Sequence, residues 1–426
     1  MLGNLLTVTD NGGNQTRMAY DNLGRKITMH DPDMGDWVYS YDANGNLKMQ
    51  TDARGQIIRY WYDGLNRLTY KDFPEVGIHV ITNTYDEAWS ENPKGRLTTM
   101  ADPSGQTKYY YDPLGRTKKV TKRVDNYDYT VQYAYDGLGR LQYLTYPDND
   151  VVRYIYNTGG NLAQVADAGV VNYAAYSRYN AFGQPGRVTF RNGVTTDYTY
   201  VLSNNRLLTI LTSKSGQPNL LDLSYGYDNV GNITGITDNA AHTQPPLVDD
   251  KATYTYGAQP HAVAQDTTNG ITYSYDSNGN MTSDGAKTIQ YNCDNMPVSI
   301  TSGGITTSIV YDGGNSRVKK TYGSGTATTY IGKLYECNGT TCAKYIFANG
   351  QKIAHKVGTS DIVYYHPDHL GSTSAVSNTS GVKVEDAQYY PFGEKRLEYG
   401  TTPMSHKYTG QEFDASSNSA TTFYLP

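Results

Sequence analysis

Tyrosines recur two positions apart along much of the chain, as in Tyr39/Tyr41, Tyr60/Tyr62, Tyr109/Tyr111, Tyr133/Tyr135, Tyr154/Tyr156, Tyr198/Tyr200, Tyr225/Tyr227, Tyr254/Tyr256 and Tyr273/Tyr275. A spacing of two places both rings on one face of a β-strand. After the second tyrosine the pattern breaks into Asp-x-x-Gly, then Arg or Asn, then usually an apolar residue such as Leu47, Leu68, Leu141, Leu162 or Ile233. Asp at the first position and Gly at the fourth is β-turn chemistry: the carboxylate accepts backbone N–H groups and Gly supplies φ > 0. The unit is therefore a strand, a tight turn and a second strand. A run of two strands with a bulge beside the turn is a common hairpin connection. Helical periodicity is nearly absent and predicts no long helix.

The unit repeats. Clear copies carry Tyr20, Asp21 and Gly24; Tyr41, Asp42 and Gly45; Tyr62 and Asp63; Tyr111, Asp112 and Gly115; Tyr135, Asp136 and Gly139; Tyr227, Asp228 and Gly231; and Tyr275, Asp276 and Gly279. Weaker copies begin at Tyr85, Tyr156, Tyr179, Tyr200, Tyr256, Tyr291 and Tyr311. Tyr20, Tyr41 and Tyr62 lie 21 residues apart, while other steps stretch or shrink, so loops are inserted into the period. A lone hairpin is marginal in water, so neighbouring hairpins pair edge to edge. The expected fold is all-β: consecutive antiparallel hairpins in one long sheet, which strand twist forces to curl.

Composition supports a half-wet sheet. The chain has 42 Tyr against 7 Phe and 3 Trp, and a ring with a polar tip suits a face that meets water. The hydrophobic share is 38% and the mean hydropathy −0.62, both low for 426 residues. The 36 basic and 41 acidic residues are interspersed, giving a net charge of −5 and no basic stripe for nucleic acid. No run of about 20 apolar residues could span a membrane as a helix, and the first residues read as no signal peptide. Three cysteines make no disulfide framework. Cys337 and Cys342 would close a small loop in an exported chain; the expectation here is two free thiols, with Cys293 outside the pair.

The repeat, Y-x-Y-D-x-x-G-R/N, resembles the YD repeat of bacterial RHS proteins, of the C components of toxin complexes and of animal teneurins. That resemblance covers residues 1–335. Residues 336–426 resemble the RHS repeat-associated core segment, through YIFANGQKIA from Tyr345, YHPDHLGSTSAV from Tyr365, YPFGEKR from Tyr390 and YTGQEFD from Tyr408. The motif residues are His366, Asp368, His369, Gly371, Pro391, Gly393 and Glu394, and their order points to the bacterial branch. The resemblance implies a spiral hollow shell, or β-cocoon, here partial. In relatives such a shell encloses a C-terminal toxin used in competition between bacteria, and is secreted or displayed at the cell surface. It also implies adjacent RHS or toxin-complex pieces as partners. Gly3-Asn4-Leu5 aligns with Gly45-Asn46-Leu47, and the family's tyrosine-rich stretch and downstream Asp-Pro autoprotease motif do not follow Tyr424. The chain is thus expected to be a piece of a longer gene product, poorly soluble alone because of open sheet edges. Asp31-Pro32, Asp102-Pro103 and Asp112-Pro113 lie within repeats and do not match the cleavage motif.

No catalytic, cofactor-binding or metal-ligating residue is assigned. His366-Pro367-Asp368-His369 offers two imidazoles and a carboxylate, but its proline prevents a clean helical face and no further ligand is evident, so it is read as a structural motif. One turn aspartate per repeat cannot supply calcium's six to eight oxygens. There is no G-x-S-x-G elbow, and the glycines form no phosphate-binding loop. The expectation is a non-enzymatic scaffold. Its alternative is a cell-surface or wall-associated protein whose tyrosine stripes stack on glycan.

Overall fold

The computed structural model describes residues 3–74, 80–169, 171–242, 253–268, 270–358, 361–389, 395–400 and 406–412. The fold is all-β. Among the described residues the strands run from Thr7–Thr9 to Lys395–Gly400, with a single 3-10 turn at Tyr408–Gly410. They form antiparallel ladders of 21, 3 and 14 strands. The ladder is thus divided where one continuous sheet was expected. Among the described residues the first division falls between the strands Ile233–Asp238 and Tyr254–Tyr256. The second falls at Tyr273, between Ile271–Thr272 and Ser274–Tyr275.

Each hairpin that carries a Tyr-Asp turn is built alike. Strand Gln15–Tyr20 pairs with Lys26–Asp31, and the register shifts between Ala19 and Tyr20. The same one-residue bulge recurs at Tyr41, Tyr62, Tyr111, Tyr135, Tyr156, Tyr227 and Tyr275. A bulge next to the turn steepens the local twist.

By contacts the chain divides into two compact units, Met1–Tyr129 with Asp250–Gly332, and Thr130–Asp249 with Lys333–Pro426. Each unit combines an early and a late stretch of the chain. The first unit has a thin apolar core of Ile58, Phe73, Ile81, Met100 and Cys293, with Tyr60, Leu97 and Tyr109 against it. The second is better filled: Ile210, Leu221, Leu223 and Tyr225 form one cluster, and Val363, Tyr365, Val376 and Ala387 another.

Inside each unit, hairpin ends of the early stretch are tied to the late stretch by polar contacts. In the first, Lys71 pairs with Asp294 at 2.6 Å, Lys122 with Asp312, and Lys319 with Asp125. Arg54 donates to the Asn292 carbonyl at 2.9 Å, and the Gly313 N–H donates to Asp102 at 2.9 Å. Gly313 must be small: a Cβ there would lie 2.6 Å from Ile81. In the second, the buried Tyr146 hydroxyl donates to the Tyr345 carbonyl at 2.7 Å, and Lys344 and Lys356 share Asp150 at 2.8 and 2.7 Å. Asn192 donates from Nδ2 to Ser377 Oγ (2.8 Å) and to the Asn378 carbonyl (2.7 Å), while its Oδ1 accepts from the Val194 N–H.

Asn192 is buried, so truncating it leaves several polar groups unpaired. Asn192→Ala is expected to destabilise the second unit by about 1–3 kcal/mol in urea unfolding. Leu138→Ala, at a turn tip 79% exposed, is expected to stay within about 0.5 kcal/mol of the parent.

Candidate functional site

The YD turn is the recurrent polar constellation, and every part of its signature has a partner. Asp21 Oδ1 accepts from the backbone N–H of Leu23 at 2.9 Å and of Arg25 at 3.0 Å. The same pair of bonds forms at Asp42, Asp63, Asp112, Asp136, Asp228 and Asp276. The other carboxylate oxygen takes the side chain that follows Gly: Arg25, Arg67, Arg116 and Arg140 through Nε, or Asn46, Asn232 and Asn280 through Nδ2. Gly24, Gly45, Gly115, Gly139, Gly231 and Gly279 all have φ between 78 and 105°. In the repeat of Tyr62, Asn66 takes that position with φ 61°, as Asn tolerates.

Tyrosine links one repeat to the one before. The Tyr41 hydroxyl donates to the carbonyl of Lys26 at 2.7 Å, Tyr62 to Leu47 at 3.0 Å, Tyr156 to Leu141 at 2.9 Å, Tyr227 to Leu207 at 2.7 Å and Tyr275 to Val263 at 2.8 Å. Tyr20 and Tyr111 bond in the same way to Leu5 and Leu97. In each case the acceptor lies at or just before the strand that leaves the preceding turn, where the bulge interrupts the ladder. Arginine adds a second link. Arg25 lies 4.8 Å from the centre of the Tyr41 ring, Arg67 4.3 Å from Tyr85 and Arg140 4.2 Å from Tyr156. These are cation–π distances. One guanidinium thus closes its own turn and covers the next repeat's tyrosine. The sequence shows Arg after Gly but gives no sign of this second contact.

Asp368 and Gly371 form the same kind of turn. Asp368 Oδ1 accepts from Leu370 and Ser372 at 2.8 and 2.9 Å, and Gly371 has φ 83°. His366 is fully buried, with Nε2 2.8 Å from Ser377 Oγ and its ring edge-on to Phe190 at 4.8 Å. Burial pushes His366 down to about 3, so the ring is neutral. His369 packs on the Tyr225 ring at 4.8 Å. Burial lowers His369 and raises Asp368, which favours the uncharged form of both. The described residues contain no group of three or more His, Cys, Asp or Glu side chains placed to hold a metal. Pro391, Gly393 and Glu394 lie outside the described residues.

Cys337 and Cys342 correct the expectation of two free thiols. They face each other across the hairpin of Tyr335–Asn338 and Thr341–Ala348, with Cα atoms 4.1 Å apart, and are joined. The two-residue connection Gly339-Thr340 sets them directly opposite. Cys293 is a buried thiol 3.1 Å from Gln56 Oε1.

The RHS Repeat family model matches residues 1–33, 41–73 and 92–127. Toxin subunit YenC2 of Yersinia entomophaga is 42% identical over 71 residues, 16% of this chain and 7% of that protein. Double-stranded DNA deaminase toxin A of Burkholderia cenocepacia is 29% identical over 163 residues, 38% of this chain and 10% of that protein. The crystal structure of TcdB2-TccC3 superposes with a TM-score of 0.78 at 17% identity, covering 96% of this chain and 29% of that one. The Tc holotoxin pore of Photorhabdus luminescens gives 0.76 at 17%, covering 96% and 28%. The chain thus spans a tenth or less of the length of these two curated relatives. Stacked hairpins with Asp-capped turns define a β-hairpin repeat scaffold. Over the matched stretches the chain is similar to RHS-repeat proteins.

The turn carboxylates of Asp21, Asp42, Asp63, Asp136 and Asp228 are held below the usual range. In Asp21, Asp63 and Asp136 the leading cause is the backbone N–H of Arg25, Arg67 and Arg140; in Asp42 and Asp228 it is the side chain of Asn46 and Asn232. A lowered folded-state pKa gives stability that is present above the unfolded value and is lost as pH falls through the folded one. Urea unfolding between pH 7 and 2 is expected to show a decline below about pH 4. The triple variant Asp63→Asn, Asp136→Asn, Asp228→Asn, which keeps an oxygen acceptor, is expected to show a shallower one.

Proposed function

We propose that this chain is a non-catalytic wall segment of a shell that encloses a toxin polypeptide in a larger, exported protein. The observation that carries this reading is the superposition on TcdB2-TccC3 over nearly the whole chain. It is supported by the turn chemistry: aspartates and arginines that could be mistaken for acid–base pairs are bound to the backbone and to each other. The tyrosine hydroxyls that glycan stacking would leave free point into neighbouring repeats. The Cys337–Cys342 bond suits an oxidising compartment, and so an exported protein. Stretches of the chain are similar to a toxin subunit and to a DNA deaminase toxin, as expected of a wall that serves many cargoes.

A trypsin time course tests this on the chain extended at its C-terminus by an unfolded reporter of toxin size. The wall is expected to resist cleavage despite its 36 basic residues, and the reporter to be cut more slowly than when free. A reporter digested at the free rate, or specific binding of the unextended chain on a glycan array, would contradict the reading.

A further inference from the structure

The second unit holds a buried amine that the repeat chemistry does not use. Lys352 lies on strand Gln351–Val357, where the register against Thr341–Ala348 shifts so that Ile346 faces Ala354 while Phe347 faces Lys352. Ile353 is the extra residue. In an unbroken strand, positions 352 and 355 would point to opposite faces. The bulge re-aims Lys352 onto the face of His355. Its Nζ sits 4.0 Å from the Tyr365 ring centre and 5.2 Å from that of Tyr345. It is buried and has no hydrogen-bond partner among the described residues. Both rings are themselves buried and fixed. The Tyr365 hydroxyl is 2.7 Å from His355 Nδ1, and that of Tyr345 donates to Glu336.

We propose that Lys352 is the proton-sensitive element of a latch across the strands Thr341–Ala348, Gln351–Val357 and Asp361–Pro367, closed while the amine is neutral and loosened when it is charged. This holds whether or not the chain encloses a cargo. A neutral amine is compatible with an aromatic box. An ammonium there has lost its water and meets two ring faces, which offset part of that loss but supply no acceptor.

The charged and titratable groups around it are Glu336 and Tyr345 from the two preceding strands, His355 from its own, Tyr365 from the next, and His406 and Glu412 from the segment 406–412, where His406 packs on Tyr345 at 4.9 Å. Asp361 also bears on His355, and Glu385 on Tyr365. Burial is the leading influence on Lys352 and brings it down to about 7, against the opposing pull of Glu336 and Glu412. Burial and then Lys352 bring His355 down to about 4.

The sign follows from linkage. Lysine takes its proton near 10.4 when unfolded and near 7 here, so the unfolded state holds more protons between those values. The ladder is therefore most stable above pH 10, weakens as pH falls toward 7 and then levels off. His355 adds a second loss between its ordinary value of 6.5 and about 4.

Amide hydrogen exchange of the full chain, corrected for intrinsic rates and followed from pH 9 to 6.5, above the range in which His355 contributes, tests the latch. Protection in residues 341–357 is expected to fall by up to about tenfold per pH unit down to pH 7 and to level off below it. Lys352→Met, which keeps the stem and removes the charge, is expected to be flat over that range and better protected at pH 7. Parent protection that does not change with pH, or a Met variant that keeps the parent's dependence, overturns the proposal. If the variant does not fold, NMR titration of lysine-labelled parent decides: a Lys352 midpoint near 7 supports the latch, and one above 9 overturns it.

Discussion

The structure depends on a hydrogen bond from a tyrosine hydroxyl to a carbonyl in the preceding repeat. A bulge beside each turn interrupts the ladder and leaves a carbonyl to be satisfied there. The tyrosine ring reaches back across the sheet and satisfies it, while the preceding repeat's arginine covers the ring. The repeats are therefore coupled through side chains as well as through the ladder. This is a sharper reason for 42 tyrosines against 7 phenylalanines than a wet sheet face, because Phe would fill the same space and leave the carbonyl unpaired.

A second set of contacts acts at longer range. Within each unit, lysines, asparagines and turn carboxylates join stretches some 150–230 residues apart, as in Asn192 with Ser377 and Lys71 with Asp294. Apolar packing there is modest, particularly in the first unit, and the partly buried ion pairs fix which hairpin end meets which. Gly313, against Ile81 and Met100, shows that shape complementarity also enforces the match.

The hairpin, its turn and its repetition were legible because they are local: Asp, Gly and the tyrosine spacing all lie within seven residues. The links between repeats were only half legible. The sequence shows Arg140 and Tyr156, but not that one covers the other, since they lie 16 positions apart. Long-range pairs such as Lys344 with Asp150 leave no pattern in a single sequence, because any exposed Lys and Asp look alike until the strands are placed. Asp368 to Gly371 repeats the turn spacing and could have been recognised as another such turn. Lys352 was hidden by the assumption of strict alternation, which the bulge at Ile353 breaks. The Cys337–Cys342 bond turns on a two-residue connection that the short spacing permitted but did not require.

The most direct test of the coupling between repeats is urea unfolding of Tyr62→Phe, Tyr156→Phe and the double variant. The account predicts a loss of about 0.5–1.5 kcal/mol for each single change, with the ring packing retained, and near-additive losses for two sites in different units. Phenylalanine variants as stable as the parent would show that the hydroxyls do not hold the repeats together, and would contradict it.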